Sequence, residues 1–203
     1  MKEIFEFIKS TEGLKRELRH SWLSDGRQES VAEHTWRMSL MLMLIESKIP
    51  KPFNYLRALK ITIVHDLVEI YAGDVPVFAF INSVQEKEKK LNNEINAINQ
   101  IVVELNSNIG EEIRALWYEY ENNETKEAKV VKAIDKLEAQ LQHNQAGLDT
   151  WNDIEYELTF RLDKYVDFDS ALTELKDLVV DDALQLYKEK GITISEDNSL
   201  ILH

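Results

Sequence analysis

The chain has 203 residues, of which 44% are apolar and 30% charged, and its formal net charge is −13. Such an acidic chain argues against binding to a nucleic-acid backbone or to anionic lipid, because both need a basic face. It contains no cysteine, so disulfides and thiolate metal sites are excluded. The longest apolar run, residues 40–45, is too short to span a membrane, and residues 1–10 do not resemble a signal peptide. We therefore expect a cytoplasmic protein.

The beginning of the chain predicts two helices separated by a loop. Residues 1–18 carry apolar side chains at helical spacing, and residues 19–29 contain the turn signal Asp25-Gly26. Ser30 and Glu33 have the spacing of a capping box, in which each side chain binds the backbone of the other residue at a helix start. This pair predicts a helix over residues 31–47, with a histidine at position 34 in its first turn.

The next predicted helix, over residues 55–72, carries the ionisable residues on which the functional interpretation depends. At about 100° per residue, His65, Asp66 and Glu69 share one sector of this helix. From residue 61 onward the rest of the circumference is apolar. A helix that is apolar nearly all round is normally buried, and buried ionisable groups are costly unless something satisfies them. A divalent cation is the partner that suits a histidine beside two carboxylates.

The remainder of the chain also predicts helices and no strands. Gly73-Asp74 ends the preceding helix, residues 78–82 form a loop or short turn, and Gly110 is a break. We expect further helices over residues 91–105, 113–120, 125–146, 151–165 and 168–190. Residues 191–203 read as a tail in which Ile192 and Ile194 dock on the core. Since no segment alternates with a period of two, the expected fold class is all-α, with residues 1–203 forming a single domain.

The five histidines offer few additional ligands for a cation. His34 opens a helix whose remainder is almost wholly apolar, which makes it the leading candidate. His203 is terminal, His20 lies in a predicted loop, and His143 lies on a helix rich in polar residues. We expect His20 and His143 to be surface residues.

Asp135 is the carboxylate that stands out in the second half of the chain. It interrupts an apolar sequence and borders the stripe formed by Val131, Ile134 and Leu137. Two imidazoles and two carboxylates suit Mn, Fe, Co, Ni or Zn better than calcium, which prefers oxygen ligands alone. The predicted metal ligands are His34, His65, Asp66 and Asp135.

This ordered set resembles the pattern of the HD-domain metal-dependent phosphohydrolases, which have a lone His, a later His-Asp pair and a distal Asp on helices. The extension of the His-Asp pair to Glu69 and Gly73-Asp74 makes the chain similar to the 5′-deoxynucleotidase-like branch of that family. The resemblance covers roughly residues 10–145. The other segments that carry it are Leu14-Lys15-Arg16, Arg19, Trp22, residues 30–34 and residues 132–138.

The resemblance implies an HD-domain helical bundle, with a metal-site core over about residues 14–145 and C-terminal helices over residues 151–190. It implies hydrolysis of (deoxy)nucleoside 5′-monophosphates to nucleoside and phosphate. The implied cofactor is one divalent ion, with Co, Mn, Ni, Zn, Fe and Mg as candidates. The implied partner is a small nucleotide substrate, and we expect a homodimer because small helical proteins with surplus apolar stripes often pair.

Four further residues receive roles in this interpretation. Glu69, one helical turn from His65, transfers a proton as general acid or base. Asp74 handles the leaving group or a sugar hydroxyl. Arg19 clamps the phosphate with bidentate geometry, and Trp22 walls the pocket.

Several alternatives remain open at this point. Asp135 could form a buried salt bridge with a lysine or arginine, and Glu69 could pair with Arg19. Trp22 could be a core residue, and Asp74 could be only a turn residue. The substrate could instead be a nucleoside triphosphate or a phosphodiester, as in other HD-domain branches. A non-catalytic scaffold would bind nucleotide or metal without turnover.

Overall fold

A computed structural model describes residues 1–194 and 200–201 of the chain. Its helices are α1 (Lys2–Ser10), α2 (Val31–Ile45), α3 (Tyr55–Val64), α4 (Glu69–Ala72), α5 (Val77–Phe80), α6 (Val84–Leu105), α7 (Asn108–Asn122), α8 (Lys126–Ala146), α9 (Asp153–Leu158), α10 (Asp163–Val166) and α11 (Ser170–Glu189). Its strands are β1 (Leu18–Trp22), β2 (Gln28–Ser30), β3 (Thr193–Ile194) and β4 (Leu200–Ile201). The predicted all-α, single-domain class is confirmed, since each sheet is only a two-stranded pair.

The N-terminal region differs from the prediction. Helix α1 ends at Ser10, and a 3-10 segment over Thr11–Lys15 follows it directly. A Cβ atom on Gly13 would lie 3.3 Å from the Ile70 side chain, so a glycine lets this segment pass close to α4. The predicted loop over residues 19–29 is partly wrong, because β1 and β2 pair in an antiparallel hairpin around the predicted turn.

The start of α2 follows the sequence closely. Ser30 Oγ accepts a hydrogen bond from the Glu33 backbone, and the Glu33 carboxylate accepts one from the Ser30 backbone at 2.9 Å. This capping box fixes where the helix begins and thereby places His34 in its first turn, with no exposed surface.

The prediction of one continuous helix over residues 55–72 is wrong. The backbone between α3 and α4 is wound more tightly than an α-helix. The backbone amides of Leu67, Glu69 and Tyr71 bond to carbonyls three residues earlier, at 3.0–3.1 Å, rather than four. In such 3-10 geometry the side chains at positions i and i+3 eclipse one another. Glu69 therefore follows Asp66 along one edge, closer than a regular α-helix would place it.

Three later boundaries also differ from the prediction. Gly110 is not a break but lies in the first turn of α7, where a Cβ atom would approach the Val102 backbone of α6 to 3.1 Å. The turn between α6 and α7 is made by Asn106, which adopts a left-handed conformation. The predicted helix over residues 151–165 divides into α9, a 3-10 segment and α10. The predicted loop over residues 78–82 overlaps the short helix α5.

The core lies between α2, α3, α6, α7 and α8. Its fully buried side chains include Met38, Leu42, Ile61, Ile98, Ile101, Ile134 and Leu137 from these helices and Leu172 from α11. A second cluster, formed by Leu148, Trp151, Ala183 and Tyr187, fastens α11 to the end of α8. Ile192 packs on this second cluster as predicted, whereas the side chain of Ile194 lies outside the described residues. Among the described helices, none has the length and apolar character that crossing a membrane requires.

Candidate metal centre

His34 is held so that one ring nitrogen points into the site. Its Nδ1 atom donates a hydrogen bond to Glu138 Oε2 on α8. Its Nε2 atom is buried and has no hydrogen-bond partner among the described residues. Because the Nδ1 proton is committed to Glu138, the Nε2 lone pair can face a cation.

His65, at the end of α3, repeats this arrangement. Its Nδ1 atom donates to the carbonyl oxygen of Thr62 at 2.7 Å, a contact within its own helix. Its Nε2 atom is likewise buried and finds no hydrogen-bond partner in the part of the chain that the structure describes. Two imidazoles thus present buried Nε2 atoms without hydrogen-bond partners to the same space, with ring centroids 5.6 Å apart.

Two carboxylates complete the set. Asp66 Oδ2 lies 3.0 Å from His65 Nε2 and 3.8 Å from His34 Nε2, and Asp135 Oδ1 lies 3.3 Å from His34 Nε2. One ligand atom each from His34, His65 and Asp66 fall within 4.8 Å of one another. These nitrogen and oxygen donors fit a divalent ion, which would satisfy both orphaned Nε2 atoms at once.

Asp135 does form the buried salt bridge considered as an alternative, but that salt bridge uses only one of its two oxygens. Its Oδ2 atom accepts a hydrogen bond from the Tyr120 hydroxyl at 2.7 Å and lies 2.9 Å from Lys136 Nζ. Its Oδ1 atom faces His34 instead. Asp135 can therefore keep its salt bridge and still offer one oxygen to a cation.

The charges around the site favour a cation in its centre. Burial and Arg19 lower the pKa of His34, but the carboxylates of Glu138 and Asp135 raise it further, to about 9. Burial raises the pKa of Asp66, but the charges of the histidines and of Arg19 outweigh burial and hold that pKa below its usual value. Carboxylates outnumber cations here, so a positive ion is the natural counter-charge.

Glu69 and Asp74 both lie close enough to Asp66 for its charge to act on their carboxyl groups. Glu69 is 6% exposed, and its Oε2 atom has no hydrogen-bond partner within the described chain. Burial, together with repulsion from Asp66 and Asp74, raises the pKa of Glu69 well above its usual value. Burial also raises the pKa of Asp74, whose backbone amide donates to Glu17 Oε1 at 2.9 Å.

Arg19 reaches the site from β1. Its NH1 atom lies 3.6 Å from Asp66 Oδ2, and its Nε atom lies 3.3 Å from Glu29 Oε2. The predicted alternative, an ion pair between Arg19 and Glu69, is not the arrangement found. Trp22, at the other end of β1, is half-buried and accepts a hydrogen bond from Gln142 through its backbone carbonyl. Its role as a pocket wall stays a prediction.

Sequence reasoning assigned no role to the residues that support the ligands. Glu138 is fully buried between His34 and Arg37, whose Nε donates to Glu138 Oε1 at 2.6 Å. Tyr120 orients Asp135 from α7. The position of Glu138, one helical turn after Asp135 on the same face, was a signal that could have identified it.

The surface positions expected for His20 and His143 are wrong. The His143 side chain is 13% exposed and that of His20 25%, and the Nε2 atom of each lies 3.5 Å from Glu155 Oε1. Burial lowers the pKa of His143 to about 4 and raises that of Glu155 to about 7.

Comparison with known proteins agrees with this geometry. The family described as HD domain matches residues 11–176. The 5′-deoxynucleotidase HDDC2 of Dictyostelium discoideum is 37% identical over 149 residues, covering 70% of this chain and 76% of that protein. The human 5′-deoxynucleotidase HDDC2 is 33% identical over 146 residues, covering 71% and 68%.

A solved structure shows the same fold. A protein from Magnetospirillum magnetotacticum, described as a predicted metal-dependent phosphohydrolase, superposes with a TM-score of 0.74 and 27% identity, covering 91% of this chain and 95% of that one. The ordered ligand pattern, the helical fold and these relatives agree. The chain therefore belongs to the HD domain family, in the branch of its 5′-deoxynucleotidase relatives.

Proposed function

We propose that this protein is a divalent-metal-dependent phosphomonoesterase that hydrolyses deoxynucleoside 5′-monophosphates to nucleoside and phosphate. The observation that carries the proposal is the pair of buried, unpartnered Nε2 atoms of His34 and His65, facing two carboxylates within the described structure. The activity of the 5′-deoxynucleotidase relatives supports the substrate class.

The ion would be held by His34, His65, Asp66 and Asp135. When bound, it would lower the pKa of a water molecule and draw the phosphoryl oxygens into line. A donor set of nitrogen and oxygen without sulfur is compatible with Mn, Co, Ni, Zn, Fe or Mg.

Arg19 would bind the phosphate beside Asp66. Its contact with Glu29 fixes the guanidinium, while NH1 stays 3.6 Å from Asp66 at the edge of the site. A guanidinium can donate two parallel hydrogen bonds to phosphate oxygens. Glu29 thus acts as a positioning residue for Arg19.

Glu69 would transfer the proton of the reaction. Its carboxyl group is buried with a raised pKa, and its Oε2 atom has no hydrogen-bond partner within the described chain. Hydrolysis forms a bond from the water oxygen to phosphorus and breaks the bond to the 5′ oxygen, which leaves with a proton. Glu69 can accept the proton of the water or supply the one that the leaving oxygen needs. Asp74 would assist at the leaving group or at a sugar hydroxyl.

A phosphate-release screen tests the proposal. Purified protein is incubated with a series of nucleoside monophosphates while the added metal is varied, and we expect release from deoxynucleotides with Co or Mn. Asp66→Ala and Glu69→Ala should abolish release, whereas Asp177→Ala, an exposed position on α11, should not. Absence of release from every monophosphate with every metal would contradict the proposal. Products other than orthophosphate would identify a triphosphate or diester substrate.

We further propose a homodimer and a cytoplasmic location. Support for the dimer comes from α2, where Trp36, Met43 and Leu44 are 55–67% exposed although they are apolar. Sedimentation at the mass of a single 23.7 kDa chain would refute the dimer.

A further inference from the structure

A second polar cluster, formed by His20, His143, Asn152 and Glu155, lies beside the candidate metal centre. His20 comes from β1, His143 from the last turn of α8, and Glu155 from α9. The Nε2 atoms of both histidines lie 3.5 Å from Glu155 Oε1, and Asn152 Nδ2 lies 2.8 Å from His20 Nε2. Two histidine side chains from separate elements therefore converge on one carboxylate oxygen of a third.

The fold gives a structural role to only one of the two carboxylate oxygens of Glu155. Glu155 Oε2 closes a capping box by accepting a hydrogen bond from the Asn152 backbone at 2.6 Å. The other oxygen, Oε1, has no such role, although Glu155 is only 5% exposed. His143 Nδ1 is buried and has no hydrogen-bond partner among the residues described. Because unsatisfied buried polar groups are costly, a ligand that bonds to them would recover that cost.

The cluster is placed for a ligand that also reaches the metal centre. His20 directly follows Arg19, the proposed phosphate clamp, on β1. Along α8, His143 lies eight residues beyond Asp135, which corresponds to about 12 Å. That separation is too long for the phosphate alone and suits the opposite end of an extended nucleoside monophosphate.

The cluster is also accessible and has an apolar side. His20 is 25% exposed at its side chain, and Asn152 is exposed. The Phe78 ring, 40% exposed, packs edge-on against His20 with centroids 4.8 Å apart. A planar heteroaromatic group could therefore contact the Phe78 ring while its polar edge meets the histidines and the carboxyl group.

We propose that His20, His143 and Glu155 form the nucleobase subsite of the enzyme, an inference that rests on the proposed function. Neutral imidazoles and a carboxyl group offer both donors and acceptors, which the polar edge of a nucleobase requires. The enzyme should therefore distinguish nucleoside monophosphates from a phosphomonoester of the same sugar that lacks a base.

Glu155→Gln tests this subsite, because glutamine also closes a capping box and preserves the start of α9. The substrates are deoxynucleoside 5′-monophosphates and 2-deoxyribose 5-phosphate, assayed with the same metal. We expect KM for the nucleotides to rise about tenfold, the loss of one hydrogen bond to an ionisable group, with little change in kcat. KM for 2-deoxyribose 5-phosphate should stay unchanged.

The matched control is Glu157→Gln, on the same helix, where the carboxylate is exposed and pairs with Arg161. This variant should leave KM unchanged for both substrates. If circular dichroism shows that Glu155→Gln is unfolded, His20→Ala takes its place. The measure is again the change in KM for the nucleotides relative to the change in KM for 2-deoxyribose 5-phosphate. An equal loss on both substrates, or no loss on either, would overturn the subsite while leaving the phosphomonoesterase proposal intact. A wild-type protein that releases phosphate from no nucleotide would overturn both.

Discussion

Replacing Glu138 by glutamine tests whether the supporting layer prepares His34 to bind a metal. Glu138 is fully buried, with Oε2 bonded to His34 Nδ1 and Oε1 bonded to Arg37 Nε at 2.6 Å. Glutamine keeps the size of the side chain but removes the charge that holds the Nδ1 proton. Loss of such an outer partner typically weakens metal affinity 10–100-fold, or about 1.4–2.7 kcal/mol.

The assay is a titration of metal-free protein with Co²⁺ in competition with a chromophoric chelator, which gives Kd without requiring turnover. Gln145→Ala serves as the control, because Gln145 Oε1 accepts from Arg37 NH1 at 2.7 Å but does not contact His34. We expect weaker binding for Glu138→Gln and wild-type binding for Gln145→Ala. Equal Kd values for Glu138→Gln and the wild type would refute the reasoning that Glu138 sets the tautomer of His34.

Three further predictions concern stability. Tyr120→Phe removes the hydrogen bond to buried Asp135 and should lower the free energy of unfolding by about 1–3 kcal/mol in urea denaturation; an unchanged midpoint would contradict this. Gly110→Ala places a Cβ atom 3.1 Å from the Val102 backbone and should cost about 1–3 kcal/mol. Helix propensity alone predicts a gain, so a higher Tm would refute the close contact. Burial raises the pKa of Glu155 to about 7, so the folded state binds its proton more tightly than the unfolded state and stability decreases as pH rises from the unfolded pKa to about 7. Wild-type protein should therefore lose stability relative to Glu155→Gln as the pH rises from about 4.5 to about 7, and parallel curves would disprove it.

Local signals in the sequence were enough to predict the helices that carry most of the ligands. The capping box at Ser30 and Glu33 fixed the start of α2 and hence the position of His34. Thr125 caps α8, because its Oγ1 atom accepts a hydrogen bond from the Ala128 amide at 3.1 Å. The position of Asp135 along α8 could therefore also be predicted. Both signals depend only on residues within one helical turn, which is why sequence alone reveals them.

The contacts that sequence did not reveal are distant along the chain. Glu138 meets His34 across 104 residues and Arg37 across 101. The hairpin of β1 and β2 has too few residues for a period of two to emerge, yet it delivers Arg19 to the site. The tightened backbone between α3 and α4 has the apolar pattern of a regular helix, so periodicity could not separate the two geometries.

The distribution of basic residues distinguishes this site from an ordinary buried network of salt bridges. Arg37 and Lys136 contact the outer oxygens of Glu138 and Asp135, on the side away from the two Nε2 atoms. A network that existed only for stability would bring its cations to the most buried carboxylate oxygens, because uncompensated charge costs most there. Here the inner side consists of the two buried histidine Nε2 atoms and carboxylate oxygens, with Arg19 NH1 at 3.6 Å from Asp66 Oδ2. Such an arrangement lowers the stability of the fold unless a cation occupies the centre. The placement of the basic side chains therefore supports metal binding more strongly than the identity of the ligand residues does.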